Sequence, residues 1–166
     1  LALKGNNFDG HDFIAKAIKL GATCIIASKT ISLAIPKNIA FIQVKDTTIA
    51  LGQIAHFQRR KINLPVIAVT GSNGKTTTKE MIAWVLSDNA QVLKNEGTKN
   101  NHIGLPQALI QLKKSDDFAV VEIGTNHFGE VAYLAKIANC NIGVITNIGQ
   151  SHLEFLRSLS GVFKEK

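Results

Sequence analysis

The stretch Val69 to Met81, VTGSNGKTTTKEM, closes the apolar run that begins at Val66 and decides the fold. Two glycines three residues apart, followed at once by Lys-Thr-Thr, are the pattern of a strand, a tight turn and the first turn of a helix. Gly71 and Gly74 let the backbone bend so that amide N–H groups converge on an anion, and the helix that follows adds its positive end. Lys75 brings a full charge and Thr76 offers a hydroxyl to Mg²⁺. Gly71, Ser72, Asn73, Gly74, Lys75, Thr76 and Thr77 are therefore the candidate nucleotide-binding residues. The general pattern G-x-x-x-x-G-K-[ST] has a glycine five residues before the second, and Val69 stands there instead. That departure marks a subclass of phosphate loops.

Working outward, the same unit repeats. Strand VIAVT, glycine loop and helix are followed by strand QVLK, loop NEGTKNNHIG and a helix around PQALIQL, with Pro106 suited to a first turn. Strand FAVVEI, loop GTNHFG and helix EVAYLAKIA come next, then strand IGVIT, loop NIGQSH and a last helix from about Ser158. Strands alternating with helices mean a parallel sheet with right-handed crossovers. Such sheets bind ligands at the carboxyl ends of their strands. Each of these loops carries polar groups: Ser72, Asn73 and Lys75; Asn100, Asn101 and His102; Glu122, Asn126 and His127; Asn147 and His152. Any one loop is polar for ordinary reasons, but four on one rim point to a site.

Glu122 ends its strand where phosphate-loop enzymes put an acidic partner for Mg²⁺. A solvated or salt-bridged glutamate is the alternative. His127 and His152 follow strand ends, and an imidazole at His152 suits a second Mg²⁺ or the orienting of a carboxylate. His11, His56 and His102 have weaker cases, His56 being read as helix surface.

Upstream, LALKG reads as an opening strand, GNNFDG as a turn, HDFIAKAIKL as a helix ended by Gly21, and TCIIA and AFIQV as strands. DTTIALGQIAHFQRRK reads as a helix capped by Asp46 or Thr47, with Ile49, Ile54 and Phe57 as its apolar line. INLP reads as a linker, because Pro65 forbids helix continuation. The fold class is α/β: a small N-terminal α/β domain over 1–62, then a truncated parallel-sheet phosphate-loop domain over 63–166. The chain opens on Leu1 within a strand and stops at Lys166 without a helix terminator, so it reads as a segment of a longer protein.

Composition narrows the classes. The 166 residues are 45% hydrophobic and 19% charged, which excludes disordered and collagen-like chains. No apolar run approaches the roughly 18 residues of a membrane span and no basic-then-apolar leader opens the chain, so a cytoplasmic location is expected. Cys24 and Cys140 have the wrong number and spacing for a zinc site or disulfide framework and read as buried reduced thiols. The formal charge of +7 raises nucleic acid as a partner. However, the lysines are scattered, RRK at 59–61 is the one tight cluster, and the single Trp and Tyr build no stacking platform. Small polyanionic ligands fit the charge, and no nucleic acid is expected.

VIAVTGSNGKTTTKEM, NNHIGLP, VVEIGTNHFGEV and NIGQSHLE together resemble the Mur ligases. That family uses T-G-x-N/S-G-K-T/S without the earlier glycine, which accounts for Val69. LALKGNNFDGHDFI is similar to the family's uridine-nucleotide-binding N-terminal domain and VKDTTIALGQIA to its end, so the resemblance spans essentially the whole chain. EIGTNHFGE resembles the branch that joins D-Ala-D-Ala to UDP-MurNAc-tripeptide more than siblings reading closer to E-V-S-S-H.

The resemblance implies ATP-driven amide formation through an acyl phosphate, a site with Lys75, Glu122, His152 and Lys166 as its catalytic set, and two Mg²⁺. Thr76 and Glu122 would hold the first metal and His152 the second. A carbamylated lysine, serving the second metal, falls on Lys166, or on Lys164 in the alternative register. Asn100, Asn101, Asn126 and His127 would grip the nucleotide-linked substrate. The segment alone is expected to have no turnover. Leu156 and Arg157 stand where the family often has Phe-Gly. The alternatives are a sibling ligase adding the third peptide residue, a folate or cyanophycin-type amide ligase, and a nucleotide-dependent switch without amide chemistry. A switch has little need for NNH, TNH and SH on the same rim.

Overall fold

The computed structural model describes every residue except Asn6 and Ser32; the turn read over GNNFDG includes Asn6 and so lies partly outside the described residues. The chain divides into two compact units, Leu1–Leu51 and Gly52–Lys166.

In the first unit a 3-10 turn over Gly10–Phe13 runs into α1 (Ile14–Lys19). β1 (Cys24–Ala27) and β2 (Ala40–Gln43) pair in parallel, Cys24 opposite Ala40 and Ala27 opposite Gln43. Ala2, Ile14, Ile25 and Ala27 form the core. LALKG is not a strand. The chain curls back instead, Gly5 N–H bonding to the Phe8 carbonyl and Gly10 N–H to that of Leu3, with a single antiparallel bridge between Lys4 and Asp9. Asp9 then anchors a small polar clip: its carboxylate takes the His11 imidazole at 2.5 Å and Lys29 Nζ at 2.5 Å, while His11 Nε2 accepts the Ser28 N–H at 3.0 Å. The Lys29 ammonium, joined by hydrogen bonds from His11, holds the Asp9 carboxyl well below the usual carboxylate range. The thiols differ from expectation too. Alternation along β1 turns Ile25 and Ala27 inward and leaves Cys24 exposed, and Cys140 is half-buried; both are free.

The division falls inside α2 (Thr47–Lys61). Asp46 is its cap, its Oδ1 accepting the N–H groups of Thr48 and Ile49 at 2.6 and 3.0 Å. The expected apolar line is on the wrong side: Ile49, Ile54 and Phe57 are exposed, while Ala50, Leu51, Ala55 and Arg59 are buried. Alanines, one leucine and a guanidinium take the buried positions, so hydrophobicity alone does not mark them. Arg59, 2% exposed, donates to the carbonyls of Ile62, Ala138 and Asn139 and to Asn141 Oδ1 at 2.9 to 3.2 Å. His56 is a half-buried partner of the Ile137 carbonyl at 3.2 Å rather than plain surface. INLP is irregular but packed, with Ile62 and Leu64 in the core.

The second unit carries β3 (Val66–Thr70), α3 (Lys75–Leu86), β4 (Val92–Lys94), α4 (Gly104–Ile110), β5 (Phe118–Glu122), α5 (Glu130–Ala138), β6 (Ile142–Ile145), α6 (Leu153–Leu156) and α7 (Leu159–Glu165). Among the described residues its strands form one parallel sheet in the order β4-β5-β3-β6. Alternation sorts the two faces. Val66, Ala68, Ala119 and Val121 pack with Leu105 and Leu109 of α4 and Leu134 and Ile137 of α5. Val69 and Val120 pack on the other face against Ala83 of α3. With both faces covered, the central strands read as unbroken apolar runs.

Candidate active site

Val69 lies in β3, fully buried, with Glu122 as its register partner. The position that carries glycine in the general motif is here a strand residue, and the loop proper starts at Gly71. Gly71 has φ 142°, and a Cβ there would lie 1.9 Å from Thr146 Oγ1, so only glycine fits. Gly74, at φ 75°, turns the chain into α3.

The loop is tied to the one after β6. Ser72 N–H bonds to the Asn147 carbonyl at 3.1 Å and Asn73 N–H to Asn147 Oδ1 at 3.0 Å. Ser72 Oγ donates to the Gly149 carbonyl at 2.8 Å and accepts from Gly149 N–H at 2.9 Å. Those two loop amides are therefore taken, which leaves the amides opening α3, at Lys75, Thr76 and Thr77, as the ones an anion would meet. Lys75 Nζ bonds to the Gly71 carbonyl at 3.0 Å, which holds its charge over the loop.

Because β5 is the direct neighbour of β3, Glu122 reaches the rim beside α3. Its Oε2 accepts from Thr76 Oγ1 at 2.7 Å and its Oε1 from Asn100 Nδ2 at 2.7 Å. Glu122 is 1% exposed. Gly124 lets Asn100 approach, since a Cβ there would lie 2.5 Å from the amide oxygen.

An open cleft of about 460 Å³ is lined by Ser72, Asn73, Gly74, Lys75, Thr76, Thr77, Asn100, Glu122, Asn126, His152 and Lys166. Asn101 lines an adjoining hollow with Asn100, Asn126 and Glu130, and its Oδ1 is used to cap the amides of Ile103 and Gly104 at the start of α4. His127 stands outside the cleft, its ring tilted at 50° against Phe155 with the centroids 4.2 Å apart. Lys166 is half-buried; burial and then the neighbouring Lys75 charge push its pKa down, against a smaller opposing pull from Glu165.

Glu165 is a residue the sequence reading passed over. It accepts from Thr125 Oγ1 at 3.0 Å and from the N–H groups of Gly129 and Val131 at 2.6 and 2.9 Å. It thereby pins α7, and Lys166 with it, to the start of α5. The available signal was its spacing of three from Val162, which is buried on the same helix. Arg157 adopts φ 67°, ψ −38° between α6 and α7, a backbone that suits the glycine of the Phe-Gly pattern.

Among the described residues no three His, Cys, Asp or Glu side chains converge on a point. A hydroxyl and a carboxylate 2.7 Å apart are instead the sparse, hard-oxygen set that Mg²⁺ takes from proteins when phosphates and water complete its shell. The donors present fit a Mg²⁺-nucleotide.

Residues 69–166 match the sequence profile of the Mur ligase middle domain and residues 1–70 that of the Mur ligase family, catalytic domain. The chain is 42% identical over 166 residues to the UDP-N-acetylmuramoyl-tripeptide--D-alanyl-D-alanine ligase of Synechocystis sp., covering 100% of this chain and 36% of that protein. It is 40% identical over 166 residues to the Escherichia coli ligase of the same name, again covering 100% of this chain and 36% of the relative. Its fold superposes on MurF from Acinetobacter baumannii with a TM-score of 0.92 at 41% identity, covering 99% of this chain and 36% of that one. MurF ligase from Thermotoga maritima, solved in complex with ADP, gives a TM-score of 0.89 at 34% identity, covering 99% and 38%. The chain thus spans about 36% of the length of the curated relatives it matches. Profiles that together run the length of the chain make this chain a member of the Mur ligase family.

Proposed function

We propose that the whole protein is an ATP-dependent ligase that joins D-Ala-D-Ala to UDP-MurNAc-tripeptide in the cytoplasm, with residues 1–62 serving the uridine nucleotide and 63–166 the ATP. The observation that carries this is the Thr76–Glu122 pair beside Lys75 at the carboxyl end of neighbouring strands. The likeness to ligases of that name supports the substrate assignment.

The tripeptide carboxylate attacks the γ-phosphorus of ATP, the bond from that phosphorus to the β,γ-bridging oxygen breaks, and ADP leaves. The D-Ala-D-Ala amine then attacks the acyl carbon, phosphate departs, and the amine loses its proton. Lys75 and the α3 amides face the charge that gathers on the transferring phosphoryl group. Thr76 and Glu122 would hold one Mg²⁺, and His152 with carbamylated Lys166 a second; the metals would screen the repulsion between carboxylate and phosphate. The lowered pKa of Lys166 favours the neutral amine that CO₂ requires. Asn100, Asn126 and, at the margin, Asn101 and His127 are the side chains assigned to the nucleotide-linked substrate.

An amine screen on the full-length protein tests the assignment. ADP release should depend on D-Ala-D-Ala. Dependence on lysine or diaminopimelate would identify a sibling ligase, and release indifferent to any amine would identify a switch.

A further inference from the structure

β4 pairs with β5 only as far as Lys94, opposite Val120, yet β5 continues to Glu122. The side chain of Asn95 supplies the missing ladder. Its Oδ1 accepts the Glu122 N–H at 2.8 Å, and its Nδ2 donates to the Glu122 carbonyl at 3.0 Å and to that of Lys99 at 2.8 Å. Asn95 is fully buried, so water cannot replace these bonds when they are lost.

Asn95 is held in turn. Its own carbonyl accepts from Lys79 Nζ at 2.5 Å, and that ammonium also meets Glu80 Oε1 at 3.0 Å. Lys79 is fully buried, three residues after Thr76 and so close to the same face of α3. An apolar side chain would fill its space at a smaller desolvation cost, but could not hold a carbonyl.

α3 therefore grips the end of β5 twice: directly from Thr76 to the Glu122 carboxylate, and through Lys79 and Asn95 to the Glu122 backbone. We infer that Asn95 and Lys79 are positioning residues that fix the spacing of the Thr76 hydroxyl and Glu122 carboxylate for a divalent cation. The inference rests on the proposed Mg²⁺-nucleotide role of that pair. Supports of this kind commonly set metal affinity by 10- to 100-fold.

The test is the Mg²⁺ dependence of binding of a non-hydrolysable ATP analogue to the full-length protein, which needs no ligase turnover. Asn95→Ala, and the volume-matched Asn95→Asp and Lys79→Met, should each raise the Mg²⁺ midpoint about tenfold. Analogue binding in EDTA should stay within roughly twofold of wild type, since the loop contacts do not pass through Asn95. A wild-type midpoint in either volume-matched variant, with only a lowered melting temperature, overturns the inference while leaving the site intact. Absence of any Mg²⁺ dependence in the wild type overturns the metal reading of the Thr76–Glu122 pair and this inference with it.

Discussion

Thr76 and Glu122 lie 46 residues apart and share a 2.7 Å hydrogen bond, because β5 runs beside β3 with Glu122 opposite Val69. The pair joins the first turn of α3 to the carboxyl end of β5. Glu122→Gln preserves the shape but removes the charge. Losing about 3 kcal/mol of charge stabilisation corresponds to a fall of roughly 100-fold in kcat, with the fold retained. Steady-state rates at saturating Mg²⁺, with a circular dichroism melt as control, check this.

Gly71 and Gly129 both have positive φ, at 142° and 89°, but only Gly71 is crowded, by Thr146. Gly129→Ala meets nothing within 4 Å and should cost only the left-handed penalty of about 1 to 2 kcal/mol. Gly71→Ala adds a backbone shift to its strain and should cost roughly 3 kcal/mol or more, with loss of nucleotide binding. Denaturant melts and nucleotide titrations of the two variants side by side should separate them.

Arg157 holds a glycine-like backbone at φ 67°. With ψ −38° it lies outside the left-handed helical well, so replacing it with glycine removes backbone strain of about 1 to 3 kcal/mol against an unfolded-state cost of up to about 1 kcal/mol. Arg157→Gly should therefore stabilise the full-length protein by roughly 1 kcal/mol, seen as a higher melting temperature. A lower one would show that the guanidinium contributes more than the strain removes.

The pKa of Lys166 is lowered by burial and then by Lys75. A lysine whose folded pKa lies below its unfolded 10.5 binds fewer protons when folded, so its contribution makes stability rise with pH from the lowered value up to 10.5. The same shift exposes a neutral amine at lower pH than an ordinary lysine does. With ¹³C-labelled bicarbonate, a carbamate resonance lost in Lys166→Ala should therefore build at lower pH than carbamates of surface lysines. Lys75→Met should move its onset to higher pH. An onset unchanged by Lys75→Met would remove the electrostatic coupling.

The phosphate-loop half was legible because its signals are local: apolar strands rich in Val and Ile, glycines at the turn and cap positions between them, and Ser158 capping α7. The first half was less so. Ile49, Ile54 and Phe57 repeat at helical spacing yet face outward, since the inner line of α2 is made of Ala55 and Arg59, whose fit depends on the carbonyls near Ala138. LALKG has strand composition but bends at Gly5 and Gly10. Lys75, Thr76 and Glu122, which motif and strand-end position announce, line one cleft. Asn95 was missed because it binds the Glu122 backbone far along the chain, and for Glu165 the spacing from Val162 signals burial but not its partners at Gly129 and Val131. His127 shows the converse: its place after a strand marked it, but its ring packs at a tilt against Phe155 outside the cleft.

The central claim is that this site spends ATP to activate a carboxylate. It is tested most directly by labelling the terminal carboxylate of UDP-MurNAc-tripeptide with ¹⁸O and analysing the phosphate released by the full-length protein with ATP and D-Ala-D-Ala. An acyl phosphate breaks at the carbon–oxygen bond, so one ¹⁸O should appear in each phosphate formed. Unlabelled phosphate would contradict the account.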